Sequence, residues 1–114
     1  MQNRNKHHAA GHGAQAPVFA ALGDVTRLEL VSQLCDGRSH SIAQLAHGRP
    51  LTRQAITKHL RVLENAGLVK SYREGRESRF EFVAEPLDEL RAYMDRVSGQ
   101  WDAALSRLQS FVED

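Results

Sequence analysis

At 114 residues, with 41% hydrophobic and 25% charged side chains, the chain has the make-up of one soluble globular domain whose core a partner subunit would help to complete. No apolar run is long enough to span a membrane, and the N-terminus lacks the apolar centre of a secretory signal. A single cysteine, Cys35, excludes an intramolecular disulfide and fits a reducing cytoplasm. The net charge of +1 conceals a segregation. From Arg49 to Phe80 there are eight Lys/Arg against three Glu, and from Glu81 to Asp114 three Arg against eight Asp/Glu. A basic middle beside an acidic end suits a chain of which one surface meets a polyanion.

Residues 1–15 are polar, contain glycine and carry almost no large apolar side chains, so a disordered tail is expected, with the folded domain over 16–114. His7, His8 and His12 lack a Cys or carboxylate partner and make a weak metal site. Pro17 is placed to start a helix that breaks at Gly23. Asp24 then serves as N-cap of a second helix, whose apolar side is Leu28, Leu30, Val31 and Leu34 and which Asp36-Gly37 ends. Cys35, in this apolar-periodic segment, is expected to be a buried structural thiol.

Ser41-Ile42-Ala43-Gln44 has the form of a capping box and opens a short helix that stops at His47-Gly48. Arg49-Pro50-Leu51 makes the turn, and Thr52 caps a longer helix reaching Ala66. At about 100° per residue this helix separates into two faces. Ala55, Ile56, His59, Leu60, Val62, Leu63 and Ala66 fall on one side; Arg53, Gln54, Thr57, Lys58, Arg61 and Glu64 fall on the other. A polar face is usually only solvated, but Arg, Gln, Thr and Lys near a helix N-terminus are also the side chains that bond base edges and phosphates. Two helices joined by a short glycine-containing turn, the second with such a face, form a helix-turn-helix. His59, on the apolar side, is expected to be a packed, hydrogen-bonded core residue.

Gly67 is the expected left-handed cap. Leu68 to Val83 reads as a β-hairpin turning at Glu74-Gly75-Arg76-Glu77, with Arg73, Arg76 and Arg79 at or near its tip. Interleaved Glu74, Glu77 and Glu81 dilute that charge, yet a hairpin after a helix-turn-helix can serve as a wing against a phosphate backbone. From Pro86 to about Val112, Leu87, Leu90, Met94, Val97, Trp101, Leu105, Leu108 and Val112 recur every three or four residues. Gly99 lowers helix propensity midway. A stripe this long exceeds what a small monomer covers and points to a helix that also packs on its copy.

Four stretches resemble the arsenic-repressor (ArsR) family of dimeric winged-helix transcriptional repressors: A-L-G-D-V-T-R-L-E-L-V from Ala21, I-A-Q-L-A from Ile42, T-R-Q-A-I-T-K-H-L-R-V-L-E-N-A-G-L-V from Thr52, and R-E-G-R-E-S-R-F-E-F from Arg73. The resemblance covers about Pro17 to Asp114. It implies a mainly α, homodimeric winged helix-turn-helix with the Thr52 helix in the major groove of double-stranded DNA and the hairpin as wing. It also implies that the first and last helices form the dimer, which adds Val18 and Phe19 to Leu90, Met94, Val97, Trp101, Leu105 and Leu108. The metal-sensing members carry ligands that this chain lacks: Ile42 to Ala46 holds no Cys, His, Asp or Glu, and Pro86 to Asp114 holds no His. Cys35 with His40 or His47 remains as an atypical alternative. The expectation is a non-metal repressor without a cofactor, released by an unidentified small-molecule or protein effector.

In that arrangement Thr52, Arg53, Gln54, Thr57 and Lys58 are the candidates for bases and nearby phosphates, Arg61 is placed for phosphate, and Arg73, Arg76 and Arg79 supply the wing. A rival reading is a winged helix that docks on a protein partner and binds no duplex. A catalytic role has no phosphate loop, nucleophile motif or apolar carboxylate pair to support it. RNA binding would draw only on Tyr72, Phe80 and Phe82 for stacking in the hairpin.

Overall fold

A computed structural model describes residues 11–113. In chain order the elements are α1 (His12–Leu22), α2 (Val25–Leu34), β1 (His40–Ser41), α3 (Ile42–Ala46), α4 (Arg53–Asn65), β2 (Val69–Glu74), β3 (Glu77–Phe82) and α5 (Glu85–Glu113). The strands form one antiparallel sheet in the order β1-β3-β2. The fold is a winged helix-turn-helix: mainly helical, with a small sheet that carries the hairpin.

Local chemistry fixes most boundaries. The Asp24 carboxylate accepts from the Arg27 amide at 3.0 Å and caps α2. At α3 the capping box is reciprocal, with the Gln44 amide donating to Ser41 Oγ and the Ser41 amide donating to Gln44 Oε1. Thr52 Oγ1 accepts from the Ala55 amide at 3.0 Å and starts α4. Gly67, at φ +80°, ends it, and the Leu68 amide returns to the Leu63 carbonyl at 3.0 Å. The pairing of Glu74 with Glu77 leaves Gly75-Arg76 as a two-residue turn, with Gly75 at φ +60° as a type II′ turn requires.

The core lies where α2, α3, α4 and the sheet converge. Leu30, Leu34, Leu45, Ile56, Leu60, Leu63, Leu68 and Phe80 are fully buried there, and Val18, Ala21 and Leu90 bring in α1 and the start of α5. The α4 side chains that point inward are Ile56, Leu60 and Leu63, the expected stripe at spacings of three and four. Val62 departs from it and is 39% exposed. At about 100° per residue it falls at the edge of that arc.

Several expectations are corrected. Helix α1 begins at His12 rather than Pro17, so Pro17 sits inside the helix and the ordered region takes in part of the expected tail. One tertiary hydrogen bond reaches this extra turn, from His12 Nδ1 to the Tyr93 hydroxyl of α5, while Gln15 is buried at 2% exposure with its Oε1 unpaired among the described residues. His7 and His8 lie outside the described residues. Cys35 is exposed, because α2 ends at Leu34 and the C-cap residue turns out of the apolar stripe. Strand β1 was not expected; it is two residues long and pairs His40 with Phe80 and Ser41 with Arg79.

Three carboxylates are held below their ordinary range. For Asp24 the main cause is the Arg27 amide, followed by the charges of Arg27 and His59. For Asp36 it is the Arg38 amide, with His40 adding. For Glu64 it is the Ser71 hydroxyl, with Arg61 adding. A lowered folded-state value means that this contribution is complete above the unfolded carboxylate value of about 4. It is lost as pH falls through the lower folded values. Melting temperature should therefore hold from pH 6 to about 4.5 and fall below that. In thermal melts, Asp24→Asn, which keeps a capping oxygen but not the charge, should show a shallower acid decline.

Candidate nucleic-acid interface

The helix-turn-helix is α3, the turn over 47–52, and α4. Gly48 takes φ +77° in that turn. Arg49 locks it: Nε donates to the Leu45 carbonyl at 2.8 Å, Nη1 to Glu29 at 2.9 Å and Nη2 to Gln33 at 2.9 Å. Its guanidinium therefore staples the turn to α2 and is withdrawn from the surface.

On α4 the exposed face carries Arg53, Gln54, Lys58 and Arg61, with Thr57 half-buried among them. The Thr52 hydroxyl accepts the cap bond and keeps its own proton to donate. The Thr57 hydroxyl donates back to the Arg53 carbonyl at 2.8 Å. Arg61 pairs with Glu64 at 2.8 Å, and Glu64 also accepts from Ser71 of β2 at 2.6 Å. That chain ties the C-terminal half of α4 to the sheet and gives Arg61 an acidic partner there.

Arg79, expected in the wing, is bonded across the sheet. Its Nε donates to Ser39 Oγ at 2.9 Å, Nη2 to the Ser39 carbonyl at 2.9 Å and Nη1 to Glu77 at 2.9 Å, and its side chain is only 18% exposed. The cause is its register opposite Ser41, which aims it across β1 rather than toward the hairpin tip. Lys70 pairs with Glu81 at 3.6 Å. Of the eight cations between Arg49 and Phe80, Arg49, Arg61, Lys70 and Arg79 thus have acidic partners. Arg53, Lys58, Arg73 and Arg76 remain, at the start of α4 and the end of the hairpin. Arg53 and Arg76 flank one groove, together with Ser41, Ile42, Ala43, Glu77 and Ser78.

The sequence reading missed Arg27. Its Nε donates to the Ala21 carbonyl at 2.6 Å, and Nη1 lies 3.1 Å from His59 Nδ1. One side chain thus satisfies the C-terminal end of α1 and holds α4 one residue beyond Lys58. His59 is half-buried and hydrogen-bonded to a cation rather than enclosed in the core; Asp24 stands 3.8 Å from the same nitrogen. The Asp24–Arg27 spacing on one helix face was the available sequence signal.

Of the expected dimer residues, Val18 and Leu90 belong to the chain's own core, at 6% and 7% exposure. Helix α5 buries only Leu90. Phe19, Met94, Trp101, Leu105 and Leu108 are exposed, and Val97 is half-buried. At 29 residues α5 is roughly 43 Å long and stretches the molecule to 67 Å in its longest dimension. It runs through Gly99 without a break. No helix among the described residues is long and apolar enough to cross a membrane. No group of three or more His, Cys, Asp or Glu among them is placed to hold a metal ion.

An exposed helix face of this composition beside a hairpin wing defines a DNA-binding helix-turn-helix transcriptional regulator. Comparison with known proteins agrees. Residues 24–71 match the family described as "Bacterial regulatory protein, arsR family". The HTH-type transcriptional regulator YuzN of Bacillus subtilis is 39% identical, over 69% of this chain and 92% of the relative. The HTH-type regulator Rv2034 of Mycobacterium tuberculosis is 31% identical, over 83% and 85%. A solved ArsR-like transcriptional regulator from Rhodococcus sp. RHA1 superposes with a TM-score of 0.73 at 37% identity, covering 88% of this chain and 93% of that one. The chain belongs to the ArsR family. Its homologues and fold are those of transcriptional regulators, not enzymes.

Proposed function

We propose that this regulator is a repressor that binds an inverted-repeat operator as a homodimer. Its folded unit begins at His12 and includes all of α5. Two α4 helices enter successive major grooves roughly 34 Å apart, and the wings lie on the flanking backbone. The observation that carries this reading is the distribution of cations in the basic middle of the chain: of the eight between Arg49 and Phe80, the four without an acidic partner stand on the N-terminal half of α4 and at the end of the hairpin, the two places that would meet a duplex together. The paired α5 stripes, with Phe19, supply the dimer contact. Held near a promoter, the dimer excludes transcription. An effector other than a metal releases it by binding the conformation that does not fit DNA more tightly.

A binding titration of an operator duplex across salt concentrations tests this. Four cations per subunit give eight per dimer, so the slope of log K against log salt should lie between roughly −4, with wing cations alone on phosphate, and −7, with all eight. A slope near zero fits the rival protein-docking module. Gln54 has no intramolecular partner among the described residues and is the best-placed side chain for an adenine. Gln54→Ala should weaken binding by about 1–3 kcal/mol at one or two base positions per half-site. An unchanged base preference in a competition assay would remove Gln54 from that role.

A further inference from the structure

Between α3 and α4 the recognition face is not flat. Ile42, Arg53, Gln54, Thr57 and Lys58 line a shallow concavity with a mostly apolar floor. Ile42, the first residue of α3, is half-buried; one side packs on the core and the other lines the concavity. Thr57 commits its hydroxyl to the Arg53 carbonyl at 2.8 Å, which leaves its methyl group as what it offers outward. An apolar floor in the middle of a surface meant for polar edges is unfavourable in water and needs an apolar counterpart. In the major groove only thymine presents one, its C5-methyl.

We propose that Ile42 and the Thr57 methyl form a seat for the methyl group of one thymine per half-site, making them specificity-determining residues. The rim fits this occupant. Arg53 and Lys58 supply positive charge for the phosphates on either side. Gln54, on the same rim, is placed to bond the adenine edge of that base pair through N6 and N7. A single A·T pair is then read on both its bases. This inference rests on the DNA-binding reading above and adds the identity of the base read.

The test replaces thymines by deoxyuridine in a duplex enriched from a random pool by the full-length protein, one position at a time and symmetrically in both half-sites. Uracil pairs as thymine does and lacks only the methyl. At one position per half-site binding should weaken about fourfold per methyl, or about fifteenfold for the symmetric pair, the worth of one buried methyl group in each half. Thr57→Ser keeps the hydroxyl bond and deletes the methyl, so it should shrink that uracil penalty, and Ile42→Ala should nearly erase it. Should Ile42→Ala fold poorly, the scan on the unaltered protein and on Thr57→Ser decides alone. Tight binding with no sensitive thymine, or an undiminished penalty in Thr57→Ser and Ile42→Ala, overturns the methyl seat and leaves DNA binding standing. Failure to enrich any duplex overturns both.

Discussion

Leu105→Glu is expected to convert the proposed dimer to monomers and to weaken binding to the full operator about 10²–10⁴-fold. Leu105 is 58% exposed on a helix that buries only Leu90, so the substitution disturbs no contact within the chain's core. In the proposed dimer the same side chain would face its partner's stripe. A carboxylate there is stripped of water twice over, once per subunit, at a cost of several kcal/mol per ion. Each half-site then binds without the second as a tether, and the loss is the avidity of two linked sites. Light scattering should give a monomer mass with unchanged helix content by circular dichroism. Affinity for an isolated half-site should stay within a factor of two or so, because α4 is untouched. An intact dimer in this variant would move the interface elsewhere on the molecule.

Phe80→Ala is expected to cost about 3–5 kcal/mol of stability, the usual penalty for emptying a large aromatic site that cannot collapse. Phe80 is fully buried on the central strand, opposite His40 of β1 and Ser71 of β2. The cavity would open where the sheet meets the helical core. At a fixed protomer concentration each kcal/mol should lower Tm by roughly 4–8 °C. Arg76→Ala makes the contrast. It sits at the exposed turn of the same hairpin, should leave Tm unchanged and should flatten the salt dependence of DNA binding. If both variants changed Tm alike, the division of the hairpin into a buried base and a functional tip would not hold.

Much of the architecture could be read from the chain because its signals are local. The Asp24 and Thr52 caps, the Ser41 capping box, Gly67 and the Gly75 turn all act within a few residues, and each stands where its side-chain chemistry placed it. The face of α4 was legible for the same reason, since a period of 3.6 is a property of one helix. What escaped the sequence depends on partners distant along it. Nothing near Arg79 announces Ser39, forty residues away, as the group that takes up its guanidinium. Arg49 reads as one more cation in a basic run until Glu29 and Gln33 are brought beside it. The start of α1 escapes the sequence because Pro17 is a strong local signal for a first turn, whereas the contact of His12 with Tyr93 lies eighty-one residues away. The candidate interface was therefore legible in its residue types. Which of its cations have partners within the chain was not, because those partners are brought beside them only by the tertiary fold.

The spacing of the two recognition helices carries the whole account, and selection of bound duplexes from a random pool by the full-length protein measures it most directly. The enriched sequences should form an inverted repeat whose half-site centres lie about one helical turn apart, roughly 34 Å. Enrichment of a single asymmetric site, or of nothing above background, would contradict it.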